Sequence, residues 1–265
     1  MINLLDYPLL IFVTSTVALS ISTWIGQTLR RHQTLEEDGR QYYGIVTGAT
    51  LGLLSLVIGF TFSMSVNRYD ARKSYEAQEA NAIGTEYFRI DLLPGIDKKS
   101  TRALLSNYLD QRIHFYVTRD ETKLAAIEHE TARLQSVMWS SVEEAAAREP
   151  NGVTSLAVSG MNNVLDLEGF TQAAWRNRLP VQAWELLAAI AIGGNILVGY
   201  GARLRVQSAA YLVVLPIALS VALFLIADID SPRGGLIHIE PGNLESLSHA
   251  IRALSQQSSV HVPGN

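Results

Sequence analysis

The sequence predicts an all-α polytopic membrane protein with four transmembrane helices and a helical extramembrane bundle. Three observations lead there. Apolar residues make up 48% of the 265 positions and charged residues only 17%, and the apolar ones are gathered into blocks. Four of those blocks are long enough to cross a hydrocarbon core of about 30 Å as helices. Between the second and third lies a charged stretch with helical periodicity and no strand signature.

The chain divides as 1–66, with spans at about 4–26 and 44–66; 67–179, the helical domain; 180–227, with spans at about 181–202 and 208–227; and 228–265, a C-terminal segment. The first span is rich in Ser and Thr, with Asp6 at its near end and Trp24 near its far end, where an interfacial aromatic belongs. No basic segment precedes it and no small-residue cleavage site follows, so it reads as an uncleaved helix. A polar connection carries Arg30, Arg31, Glu36, Glu37, Asp38 and Arg40.

The second span, Gly44 to Val66, holds 23 residues and no charge. Gly44, Gly48 and Gly52 recur every four residues, a small-residue stripe that lets another backbone approach closely. Leu56, Phe60 and Met64 continue that series. Two readings fit: an ordinary span with glycine packing, or a pore-lining helix whose narrow part is ringed by Leu56 and Phe60. The polar, basic run Asn67 to Lys73 follows at once.

Four helices are readable between 67 and 179. Ala80, Ile83, Tyr87 and Ile90 mark the buried face of the first, which ends at Leu92-Leu93-Pro94-Gly95. The second starts after Asp97, carries Leu104, Leu105, Tyr108 and Leu109, and ends near Thr118. The third spans about 121–148, with Leu124, Ile127, Thr131, Leu134 and Met138 on one face. Pro150-Asn151-Gly152 breaks the chain before a fourth, about 153–178, whose expected core positions are Leu156, Val164, Leu167 and Trp175. Pro180 opens the third span, where its missing amide hydrogen costs little, and Pro216 lies inside the fourth. The tail begins with the turn-rich Asp228 to Gly235, continues as an amphipathic stretch over 244–254, and is expected to be disordered from about Ser255.

Composition narrows the chemistry. With no cysteine, disulfides, thiolate catalysis and cysteine-based metal centres are excluded. A net charge of −4 without a basic run speaks against nucleic acid. The six histidines form no HExxH pattern, and Glu128-His129-Glu130 points in three directions about 100° apart, as a solvated helix face does. Asp228 and Asp230 offer oxygen ligands to a hard cation, but a role in the turn leaving the membrane is the simpler reading. Gly193-Gly194 lies within a span and Gly234-Gly235 in a turn, so neither forms a phosphate loop. Neither enzymatic activity nor a cofactor is expected. Glu185, beside Trp184 near the start of the third span, reads as an interfacial acid, with a proton or ion site as the alternative.

Three stretches resemble the bestrophin family, specifically its bacterial bestrophin-like members. The first runs from Ile58-Gly59-Phe60 through Arg68-Tyr69 to Ala71-Arg72-Lys73. The second is Glu79 to Thr85 with Asp91-Leu92-Leu93-Pro94. The third, Ala227 to Gly235, with Asp228, Asp230 and Pro232, resembles the acidic segment after the last bestrophin span. The resemblance implies a homopentamer in the bilayer of a bacterial inner membrane, with an axial pore lined by the second span. The family's apolar neck matches Gly52, Leu56 and Phe60, and such a constriction can gate by dewetting. Glycine would widen the first of those rings. The stretch between Arg68-Tyr69 and Ala71-Arg72 is one residue shorter than the family pattern, which makes Ser63 or Met64 alternative axial positions.

The resemblance further implies monovalent ions as the permeating species, chloride by preference and cations as the alternative. The long acidic run with which animal bestrophins bind calcium is missing here. The family topology places the helical domain and both termini in the cytoplasm. The five arginines of the two short loops, counted alone, place those loops in the cytoplasm and the domain outside. Arg68, Arg72, Lys73, Arg176 and Arg178, at the domain ends of spans two and three, count the other way. Two other functions fit the same outline: a non-conducting oligomeric scaffold or sensor, and a proton-driven stator of the MotA/ExbB class, for which Glu185 is the residue to test.

Overall fold

The computed structural model describes residues 7–30, 37–202 and 209–260. The elements are α1 (Pro8–Arg30), α2 (Glu37–Arg89), a 3-10 turn (Ile90–Leu92), α3 (Lys98–Val117), α4 (Glu121–Arg148), α5 (Gly152–Arg176), α6 (Val181–Gly201), α7 (Ala209–Asp230) and α8 (Gly242–Val260). The described residues contain no strand. Four helical stretches are long and apolar enough to cross a membrane: Pro8–Arg30, Gln41–Leu92, Gly152–Gly201 and Leu212–Asp230. The two long ones exceed the roughly 20 residues that a bilayer requires. The chain forms two compact units, Met1–Tyr69 with Asn177–His238, and Asp70–Arg176 with Ile239–Asn265.

In the first unit α1 packs along α6 and α7. Among the described residues, apolar clusters form from Ile11, Leu187, Leu223 and Ala227, and from Leu19, Leu54 and Ala191. A Cβ at Gly26 would collide with the carbonyl oxygen of Ile196, and one at Gly199 with that of Thr23, so α1 and α6 meet backbone to backbone. Buried Asn195 crosses the seam: its Oδ1 accepts from the Thr23 hydroxyl at 3.3 Å, and its Nδ2 donates to the Ala191 carbonyl at 2.8 Å. Gly44, Gly48 and Gly52, by contrast, have nothing within 4 Å of where a Cβ would stand. The close approach expected at that stripe is thus made, within this chain, by other glycines.

At the end of α6, Arg30 donates to the carbonyls of Gly201 and Ala202, each at 2.7 Å, satisfying acceptors that a helix end leaves open. α1 continues past Gly26 to Arg30, and α7 continues past Ala227 to Asp230. Arg31, Arg203 and Arg205, which enter the loop-charge count, lie outside the described residues, as do Asp6, Glu36 and 261–265.

In the second unit the helix boundaries follow local chemistry. Leu93-Pro94-Gly95 stops the ladder, with Gly95 at φ 68°, a conformation that glycine adopts without strain. Asp97 caps α3 by accepting from the amides of Lys99 and Ser100, and Asp120 caps α4 from Thr122 and Lys123. Asn151 does the same for α5, accepting from Val153 at 2.8 Å and Thr154 at 3.0 Å.

Ile83, Ile90, Leu105, Tyr108, Leu109, Leu134, Met138 and Val164 are buried as their spacing requires. Leu156 is not: it is half exposed, and Ala157 takes the buried position. Counting back from Val164, seven residues return to about the same face of a helix whereas eight overshoot by about 80°. α8 remains helical through Val260, where disorder from about Ser255 was expected. It is anchored by buried Glu76, whose carboxylate accepts from the amides of Asn243 at 2.8 Å and Leu244 at 3.0 Å and from the Asn243 side chain at 2.6 Å.

Candidate functional site

α2 is uninterrupted from Glu37 to Arg89, so a step of about 100° per residue holds along its whole length. Leu54, Thr61 and Ser65 mark the face it buries in the first unit. Gly52, Leu56 and Ser63 lie within about 20° of the opposite direction, Phe60 about 60° from it and Met64 about 100° from it. All five are exposed, Leu56 at 54% and Phe60 at 63%. The four-residue series drifts by about 40° at each step, which is why Ser63 rather than Met64 continues the line of Gly52 and Leu56. The hydroxyls on the buried face bond inward, Thr61 to the Val57 carbonyl at 2.7 Å and Ser65 to the Thr61 carbonyl at 3.1 Å. The exposed face between Gly52 and Phe60 carries one hydroxyl, Ser55, which is bonded to the Leu51 carbonyl.

A second constellation joins two of the sequence motifs. Asp230, at the end of α7, accepts from the Leu179 amide at 3.1 and 3.2 Å and stands 4.0 Å from the Arg68 guanidinium. Asp228 accepts from the amides of Leu236 at 2.7 Å and Ile237 at 2.8 Å. A Cβ on Gly235 would crowd the Asp228 carbonyl oxygen, so that glycine lets the chain fold back over the helix end. Pro232 is buried in the same turn. Both acids therefore accept from backbone amides. Of the remaining motif residues, Tyr69 is half-buried, and Arg72 is buried in the second unit, where its Nε donates to the Ala174 carbonyl at 3.1 Å. Glu185 is exposed on α6.

Sequence reasoning missed the polar interior of the second unit. Arg112, at 1% exposure, makes a two-pronged contact with Glu79 at 2.9 and 3.3 Å and reaches Glu168 at 3.4 Å. Burial opposes its charge, yet Glu79 and Glu168 more than compensate and hold the guanidinium well above its usual pKa. Its other face lies 4.5 Å from the centre of the Phe115 ring. Gln135 and Gln172 complete the hydrogen bonding of Glu168. A signal was present: Arg72, Glu76, Glu79 and Glu86 fall at helical spacing on the stripe of Ile83 and Ile90, so charges lie on an apolar face. On the solvated face of α4, Glu130 pairs with Arg133 at 2.6 and 2.8 Å, and His129 is exposed.

This architecture defines a class: a polytopic all-helical membrane protein with four candidate spans and a helical unit between them. A family model for the bestrophin-like domain matches residues 13–244, and the chain belongs to that family. Three solved structures are similar in fold. A bacterial bestrophin homologue from Klebsiella pneumoniae aligns over 95% of this chain and 99% of its own, with 13% identity and a TM-score of 0.64. A single-site variant of a Klebsiella pneumoniae bestrophin homologue aligns over 92% and 99%, with 12% identity and a TM-score of 0.66. A variant described only as a membrane protein covers 92% of this chain and 98% of its own, with 10% identity and a TM-score of 0.66. No curated protein matches the chain in sequence.

Proposed function

We propose that the chain is a subunit of a homopentameric ion channel in a bacterial inner membrane, with the membrane half of α2 lining the pore. The observation that carries this reading is the uncovered apolar face of α2. Leu56 and Phe60 are exposed while Leu54, Thr61 and Ser65 on the other side are buried. An apolar helix face of this kind is completed by further copies around an axis, as membership of the bestrophin-like family suggests. Leu56 and Phe60 then form an apolar neck of successive rings, Gly52 a wider ring, and Ser63 the next axial position; a ring of this chemistry gates by dewetting.

Chloride is the favoured ion on the family resemblance alone, and a small cation is the alternative, since an apolar neck has no fixed charge with which to select. The helical unit and both termini are assigned to the cytoplasm on the family topology. The test is flux through purified protein in liposomes under chloride, sodium and potassium gradients, with Phe60→Ala in parallel. The reading expects selective flux that rises in the variant. Silence in both proteins, from correctly assembled oligomers, would favour the scaffold or the partner-dependent stator.

A further inference from the structure

Glu86 has a setting unlike that of any other carboxylate described here. It lies on α2 in the second unit, its side chain has no solvent exposure, and neither carboxyl oxygen has a hydrogen-bond partner. It is pressed against α5: a Cβ on Gly160 would overlap Glu86 Oε2, so the glycine is the notch that admits the carboxyl group. The other buried acids are all satisfied. Glu76 holds the start of α8, Glu79 holds Arg112, and Asp228 and Asp230 hold backbone amides.

We infer that the α2–α5 seam at Glu86 is a proton-operated lock, closed while the carboxyl group carries its proton and released when that proton passes to solvent. The cost of a carboxylate charge that accepts no hydrogen bond in a dry seam is the driving force. Arg89, the next charge along α2, stands 4.0 Å away and donates to the Leu156 carbonyl at 3.4 Å. From α5 the seam receives that carbonyl and Gly160, and among the described residues Arg89 is the one charged group acting on the carboxyl. Two residues earlier, about half a turn round α2, Gly84 meets the apolar Leu247 of α8. Burial, opposed by Arg89, pushes the Glu86 pKa up to about 8, so the group is neutral at pH 7 and ionises under mildly alkaline conditions.

The test uses the full-length protein in detergent or nanodiscs and requires no ion flux, so its outcome is independent of the channel reading. Infrared difference spectra against Glu86→Gln should show a protonated carboxyl band at about pH 6.5 that is gone by about pH 9. Hydrogen exchange, corrected for the intrinsic pH dependence, should show protection of 82–90 and 154–162 falling at least tenfold over the same interval. In Glu86→Gln that protection should not change. Gly160→Ala, which evicts the carboxyl group, should lose protection already at about pH 6.5. An ionised Glu86 at about pH 6.5, or wild-type protection that ignores pH, would overturn the inference, as would an equal loss in Glu86→Gln.

Discussion

Gly199 and Arg112 show how much single positions carry in this chain. At Gly199 the Thr23 carbonyl occupies the space that a side chain would need. Gly199→Leu should therefore separate α1 from α6 and lower the thermal midpoint in detergent, whereas Gly48→Ala, facing open space, should barely move it. Arg112 and Glu79 are each only 1% exposed. Removing one partner leaves a buried charge, so Glu79→Ala should cost roughly 3–5 kcal/mol, read by denaturant unfolding of the solubilised protein. Glu86 has the opposite pH signature to a paired acid. Its pKa is raised from 4.5 to about 8, so the folded state binds the proton more tightly than the unfolded state. Stability should then fall as pH rises from about 4.5 to about 8 and level off beyond, a slope that Glu86→Gln removes. None of these partnerships could be seen in the sequence, because spacing along one helix does not say what stands opposite.

Among the elements, α8 and the membrane half of α2 lead to separate expectations. The start of α8 is held by three hydrogen bonds from one carboxylate, Glu76, and its exposed face by Arg252 on Asp110 at 3.0 Å. Glu76→Ala should release the helix, seen as faster tryptic cleavage at Arg252, while Asp110→Ala, which breaks the solvated pair and keeps the cleavage site, should have little effect. On α2, Leu56→Ala and Phe60→Ala should raise leak conductance more than Met64→Ala, which is turned about 100° from the middle of the exposed face. If the three variants behave alike in a conducting oligomer, the axial register is different. Most element boundaries were legible, since Asp97, Asp120, Asn151 and Pro94-Gly95 act on their own neighbours. Leu156 misled because leucine signals burial by its chemistry, whereas the helix angle favoured its smaller neighbour Ala157.

For the whole molecule, the proposal expects a mass five times that of the chain after the detergent contribution is subtracted, together with ion-selective flux. A pentamer without flux would retain the assembly and discard the conduction. The sequence by itself determined the all-helical class, the four candidate spans and the charged helical stretch between them, because hydropathy, periodicity and turn chemistry are local quantities that accumulate along the chain. The bestrophin-like membership rests instead on the likeness of particular motifs and on the family match over 13–244. Tertiary structure alone decided which glycines meet a neighbouring backbone, which acids are satisfied by amides and which carboxyl group is left without a hydrogen-bond partner. Those are properties of pairs far apart in sequence: Gly26 with Ile196, Arg68 with Asp230, Glu76 with Asn243 and Glu86 with Gly160. Their energies depend on contact and on exclusion of water, and neither exists until the helices have packed.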